Sequence, residues 1–222
     1  MILCLVTDRR RLAAAMGVTA EQWPIVLARQ VEAAAEAGVD FVQVREPDLE
    51  GRELAGLVRD LMRRVGAHRT RILVNDRIDV AIAAHASGVH LKEASILPDE
   101  ARRIAPPGFV IGCSVHTTAD VPSRKSADLL IAGTVLPTAS KRPVDYLGKA
   151  GLEAIVKAAA GQSVLGIGGL DLSSVPLVAS SSAAGMAAIG AFVPRAGDDL
   201  SEFVQKRVKD LRLAFDSAKS GT

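Results

Sequence analysis

From end to end, short apolar runs rich in β-branched residues alternate with longer alanine-rich stretches of 3.6-residue period. This alternation restricts the fold more than any single motif does. A strand covered on both faces reads as a continuous apolar run, and a parallel neighbour can be reached only through a crossover helix. Eight such runs occur, at residues 2–6, 41–44, 72–74, 88–91, 110–114, 129–132, 164–167 and 186–189. Helices are predicted between them, most clearly over 23–37, 49–65, 99–105, 152–160 and 200–218. In the first of these, Ile25, Ala28, Val31 and Ala35 form one apolar stripe, and Gly38 supplies the stop. The stretch 118–126, with Pro122 in its middle, is weakly helical at best, and the Ser180-Ser181-Ser182 triplet reads as a helix end.

Eight βα units that close on themselves make a (β/α)8 TIM barrel, an α/β fold. The 222 residues leave about 28 for each unit, so one domain over 1–222 is expected. An open, doubly wound sheet is the alternative. It would carry a glycine-rich turn after the first strand, where Thr7-Asp8-Arg9-Arg10 stands instead, and polar residues follow many strands rather than one switch point.

Composition narrows the function classes. With 49% hydrophobic and 23% charged residues and a formal charge of +2, nothing calls for nucleic acid or a membrane surface as partner, while a small anion stays open. The run Arg9-Arg10-Arg11 is expected to be a solvated face. Cys4 and Cys113 lie in apolar runs without CxxC spacing, so buried thiols in a reducing cytoplasm are expected. The opening run 2–6 is too short to cross a bilayer. A homodimer is compatible with the sequence, which does not identify the helix that would form it.

In a barrel, chemistry belongs at the carboxyl ends of the strands. Reading just past each run collects Thr7 and Asp8; Gln43, Arg45 and Glu46; Asn75 and Asp76; His90 and Glu93; Ser114 and His116; Gly133 and Thr134; Gly168 and Gly169; and Ile189 with Gly190. Glycines after the last two strands let the backbone approach an anion closely, at a place where barrels often seat phosphate. The loop 136–143 adds hydroxyls and cations, among them Thr138, Ser140 and Lys141. Of the four histidines, His116 is the candidate acid/base, ahead of His68, His85 and His90. Asp76 alone does not make a metal site.

The runs Gln43-Val44-Arg45, Val74-Asn75-Asp76-Arg77-Ile78-Asp79, Gly88-Val89-His90-Leu91, Gly112-Cys113-Ser114-Val115-His116, Thr138-Ala139-Ser140-Lys141 and Gly166-Ile167-Gly168-Gly169 together resemble the thiamine phosphate synthase superfamily, in order and over almost the whole chain. The resemblance implies a thiazole phosphate as small-molecule partner. For the synthase branch it implies a Gln-x-Arg-x-Lys run for pyrophosphate and two aspartates for Mg2+. Gln43, Arg45 and Asp76 match, but Pro47 replaces the lysine and Ser95 stands at the second aspartate.

The TenI-type thiazole tautomerase branch needs neither feature, and its Ser-Val-His histidine corresponds to His116. The expectation is therefore a metal-independent tautomerase without cofactor. In it His116 moves the proton and Arg45 anchors the substrate. Gln43, Asn75, Ser114, Thr138, Ser140, Lys141, Gly168, Gly169, Ile189 and Gly190 bind the rest. A synthase with Mg2+ on Asp76 and a non-catalytic thiazole-phosphate sensor are the alternatives. One departure touches both branches: the family's serine after the eighth strand is Gly190 here.

Overall fold

The computed structural model describes residues 1–138 and 146–220. Its elements run β1 (Ile2–Val6), α1 (Arg9–Met16), α2 (Trp23–Glu36), β2 (Phe41–Val44), α3 (Gly51–Val65), β3 (Arg71–Asn75), α4 (Ile78–Ala83), β4 (Gly88–Leu91), α5 (Pro98–Ile104), β5 (Val110–Val115), β6 (Leu129–Gly133), α6 (Gly148–Ala158), β7 (Ser163–Ile167), α7 (Val175–Ser180), β8 (Gly185–Ala188) and α8 (Leu200–Ser220). The strands are parallel and close in sequence order, with β8 returning to β1 through the pairs Ile2↔Gly185 and Cys4↔Ala187. The molecule is a (β/α)8 TIM barrel.

Strand alternation sorts side chains into two apolar layers. Leu3, Leu5, Val42, Val44, Ile72, Val74, Val89, Ile111 and Leu130 face outward and are sealed by the helices. Cys4, Val6, Leu129, Ile131, Leu165 and Ala187 pack inside the barrel. Both thiols are buried and free; burial pushes Cys4 up to about 12 and Cys113 to about 11, which keeps them protonated and inert. No helix among the described residues is long and apolar enough to cross a membrane.

Some expectations need correction. The basic run Arg9-Arg10-Arg11 is the start of α1, which is capped by Asp8 accepting from the Arg11 amide at 2.9 Å and anchored by buried Leu12. Arg9 is not solvated: it bridges Glu46 and Asp48 and lies 5.0 Å over the Trp23 ring. Ile25 does not belong to the buried stripe of α2, being 63% exposed, whereas Ala28, Val31 and Ala35 are buried. Between β5 and β6 the chain makes a single 3-10 turn, Val121–Arg124, as Pro122 suggested. The helix before β8 stops at Ser180, inside the serine triplet.

Candidate functional site

The loops after β1 and β2 are joined first. The Thr7 hydroxyl donates to Glu46 Oε1 at 2.7 Å and accepts the Arg45 amide at 2.9 Å. Glu46 also receives the Arg9 amide and, at 3.1 Å, the Arg9 guanidinium, which continues to Asp48. Burial raises the Glu46 carboxyl above its ordinary value; the Arg9 guanidinium holds exposed Asp48 below its own. This network fixes the backbone of Arg45, whose exposed guanidinium has no hydrogen bond or ion pair among the described residues.

Inside the mouth, β2 to β5 present a polar row. Gln43 Nε2 donates to Asn75 Oδ1 at 2.8 Å, and His90 Nε2 lies 2.9 Å from Ser114 Oγ. Gln43 Oε1 and His90 Nδ1 are buried without partners. The opposite half of the interior, from β6 round to β1, is the apolar cluster of Leu129, Ile131, Leu165, Ala187, Cys4 and Val6. A ligand entering this mouth meets hydrogen-bonding groups on one side and hydrocarbon on the other.

Beyond the polar row, Asp76 takes a left-handed φ of 65° while its amide donates to the His90 carbonyl at 2.8 Å. Ser95 Oγ donates to Asp76 Oδ1, and the Lys92 ammonium pairs with Asp76 Oδ2. The Lys92 amide in turn donates to Ser95 Oγ at 2.8 Å. Burial alone would raise the Asp76 carboxyl, but the Lys92 and Ser95 bonds hold it below its ordinary value. This arrangement does not suit Mg2+, which is usually held by one or two free carboxylates together with substrate phosphates and waters. Both Asp76 oxygens are engaged, and no group of three His, Cys, Asp or Glu side chains among the described residues could hold a metal.

His116 follows β5. Its Nδ1 meets the Gly133 carbonyl, and its amide donates to Asp120 at 2.7 Å. A carbonyl can only accept, so Nδ1 carries a proton and, in the neutral ring, Nε2 holds the lone pair; the side chain is 39% exposed and Glu93 Oε2 lies 3.8 Å from Nε2. Arg124 donates to the Glu93 carbonyl at 2.7 Å and so fixes the loop that carries this carboxylate.

Across the barrel, Gly168 and Gly169 have φ of 101° and 65°. A Cβ on Gly169 would lie 2.5 Å from the Pro137 carbonyl oxygen, so the β7 turn packs directly on the loop after β6. Thr138 and Ile189 are half-buried beside these turns in the chain; Ser140 and Lys141 lie outside the described residues. The sequence reading missed Arg11. A Cβ on Gly190 would lie 2.8 Å from Arg11 Nη2 and 3.2 Å from Cζ, so the exposed Arg11 guanidinium lies across the β8 turn, and a side chain at 190 would push it aside. The signal was available in the sequence: an arginine just after the first strand together with a glycine at 190.

Fold and side chains thus define a (β/α)8 barrel with cations, a histidine and glycine turns gathered at the carboxyl ends of its strands. Residues 4–192 match the family described as thiamine monophosphate synthase, and the chain belongs to that family. It is 39% identical over 168 residues to a thiamine-phosphate synthase of Methanoculleus marisnigri, covering 72% of this chain and 77% of that one. It is 32% identical over 185 residues to a thiamine-phosphate synthase of Pyrococcus abyssi, covering 80% and 88%. The solved thiamine phosphate pyrophosphorylase from Pyrococcus furiosus superposes with a TM-score of 0.78 at 28% identity, covering 98% of this chain and 96% of that one.

Proposed function

We propose that this chain is an enzyme of thiamine biosynthesis, a thiamine-phosphate synthase that joins a hydroxymethylpyrimidine diphosphate to a thiazole phosphate. The carrying observation is its 39% and 32% identity to proteins named for that reaction, over most of both chains. Sequence reasoning ranked tautomerase first; these relatives favour the synthase. In the joining reaction a carbon–nitrogen bond forms between pyrimidine methylene and thiazole nitrogen while diphosphate departs. The chain's part is to orient both halves and meet the charge of the leaving group. Arg45 and Lys92 face that charge, the Gln43-Asn75 and His90-Ser114 pairs offer hydrogen bonds to the pyrimidine, and the glycine turns after β7 and β8 receive the thiazole phosphate.

Purified protein given the two precursors is expected to form thiamine phosphate, and Arg45→Ala to lower kcat/KM roughly 10- to 100-fold, the worth of a hydrogen bond to a charged group. No thiamine phosphate from the wild type would sink the reading. Arg11→Ala is expected to weaken thiazole-phosphate binding by about tenfold in calorimetric titration, again the loss of one charge-assisted contact. Unchanged affinity would remove Arg11 from the seat.

A second reading, thiazole tautomerase, is favoured by one observation: the Gly133 carbonyl holds His116 Nδ1 as a donor and turns Nε2, the nitrogen that exchanges a proton, toward Glu93. Isomerisation of the thiazole carboxylate phosphate, abolished by His116→Asn, would select it. Under the synthase reading His116→Asn changes thiamine phosphate formation only a few-fold.

A further inference from the structure

The residues around Asp76 differ from what a metal-dependent synthase needs, and the difference is organised. Lys92, Ser95 and Asp76 form one closed unit: ammonium on one carboxylate oxygen, hydroxyl on the other, and the Lys92 amide on that same hydroxyl. A hydrogen bond of 3.2 Å from the Ser95 amide to the Lys92 carbonyl tightens the turn. Asp76 is held from below by its amide on the His90 carbonyl. We propose that the Lys92 ammonium, clamped by Asp76 and Ser95, is a built-in cation for the diphosphate of the substrate and makes its recognition independent of divalent metal.

The charge balance supports this. Two carboxylates with a divalent ion are neutral as a set, and so are one carboxylate, one ammonium and a neutral serine hydroxyl. Exchanging the second aspartate for Ser95 and the ion for Lys92 therefore presents a diphosphate with the same net charge. An ammonium has three donors. Asp76 takes one, and the Lys92 side chain is 57% exposed, so the other two are available to phosphate oxygens. The clamp also limits the rotamer entropy that a solvated lysine loses on binding. Its place suits a diphosphate: the loops after β3 and β4 lie across the barrel from the glycine turns after β7 and β8, which leaves the mouth between the two anionic ends.

The inference rests on the synthase reading for its ligand, but its test does not need turnover. Inorganic pyrophosphate is titrated calorimetrically into the full chain, in buffer with EDTA and in buffer with Mg2+. Wild type is expected to bind in EDTA within about threefold of its affinity in Mg2+. Lys92→Ala is expected to lose tenfold or more in both buffers, and Lys92→Ala combined with Ser95→Asp to bind only with Mg2+, a thermal melt confirming that each variant is folded. Wild-type binding that disappears in EDTA, a Lys92→Ala protein with wild-type affinity, or a double variant that binds tightly in EDTA would overturn it. Absence of pyrophosphate binding in both buffers would overturn it as well, while the synthase reading stands or falls separately on thiamine phosphate formation.

Discussion

Gly185→Ala is expected to stop the barrel from closing, leaving little soluble, cooperatively folding protein. Gly185 opposes Ile2 where β8 meets β1, and a Cβ there would lie 1.8 Å from the Ile2 carbonyl oxygen and 2.7 Å from its carbonyl carbon and amide nitrogen. These are main-chain atoms of a central strand, which no rotamer change can move aside. Relief requires the seam between first and last strand to open, at the cost of ladder hydrogen bonds and of packing in the inner cluster around Cys4 and Ala187. Overpacking costs about 1–3 kcal/mol where a core can adjust, and more where it cannot; a typical domain has about 5–15 kcal/mol in all. Gly56→Ala is the control. It lies on the exposed side of α3 with nothing within 4 Å of its Cβ position, and is expected to gain roughly 0.5–1 kcal/mol from reduced freedom of the unfolded chain. Thermal melts of the two variants should move in opposite directions. A Gly185→Ala protein melting within a few degrees of wild type would mean that the β8–β1 seam is not packed as described.

The same seam explains what could be read in the sequence. The apolar runs were legible because each strand is covered by helices outside and by other strands' side chains inside, which erases the two-residue alternation and leaves unbroken hydrophobic stretches. β3 extends one residue further at each end than its apolar run, to Arg71 and Asn75, because barrel rims face water and polarity there carries no information about pairing. α1 escaped because its only fully buried anchor is Leu12, too little to produce a stripe. The six-residue helices α4 and α7 are too short for a periodicity to show. Ile25 entered the predicted stripe on spacing alone, yet it sits in the first turn of α2, beyond the reach of neighbouring elements.

For the site, the inventory at strand ends was legible once the topology was, since parallel closure brings all eight ends to one face. Which groups pair there was not. Asp76 and Lys92 lie on adjacent loops with β4 between them, so their contact depends on strand register, and Arg11 reaches Gly190 only because the first and last strands are neighbours. His116 ranks ahead of His90 in the sequence, but their environments do not show there: His90 is buried in the lumen, whereas the His116 side chain is 39% exposed at the mouth.

His90 gives the barrel an acid-sensitive point. Its ring lies within the polar row, with Nε2 on Ser114 Oγ and Nδ1 buried without a partner, 2.9 Å from where a Cβ on Gly112 would be. An unpaired lone pair there costs less than an unpaired N–H, so the neutral ring carries its proton on Nε2, donates to Ser114, and leaves that hydroxyl free to donate to a ligand. Burial lowers the imidazole from 6.5 to about 4, against the opposing pull of the Asp76 charge. Between these values the unfolded chain binds a proton that the folded chain refuses, so stability falls as pH falls from about 6.5 and levels off below about 4. A shift of this size corresponds to about 3 kcal/mol in total, of which about 2 kcal/mol is lost between pH 7 and pH 5. Glu46, raised by burial, works in the opposite sense, since its folded form takes up a proton more readily than the unfolded chain. Asp76 and Asp120, held low, lose their contributions only at more acidic pH. The difference between wild type and His90→Asn in denaturant unfolding at pH 7, 6 and 5 isolates the histidine, because the carboxylate effects are common to both. Wild type is expected to lose about 2 kcal/mol more than His90→Asn over that range. Parallel losses in the two proteins would show that His90 takes up its proton in the folded barrel as easily as in the unfolded chain.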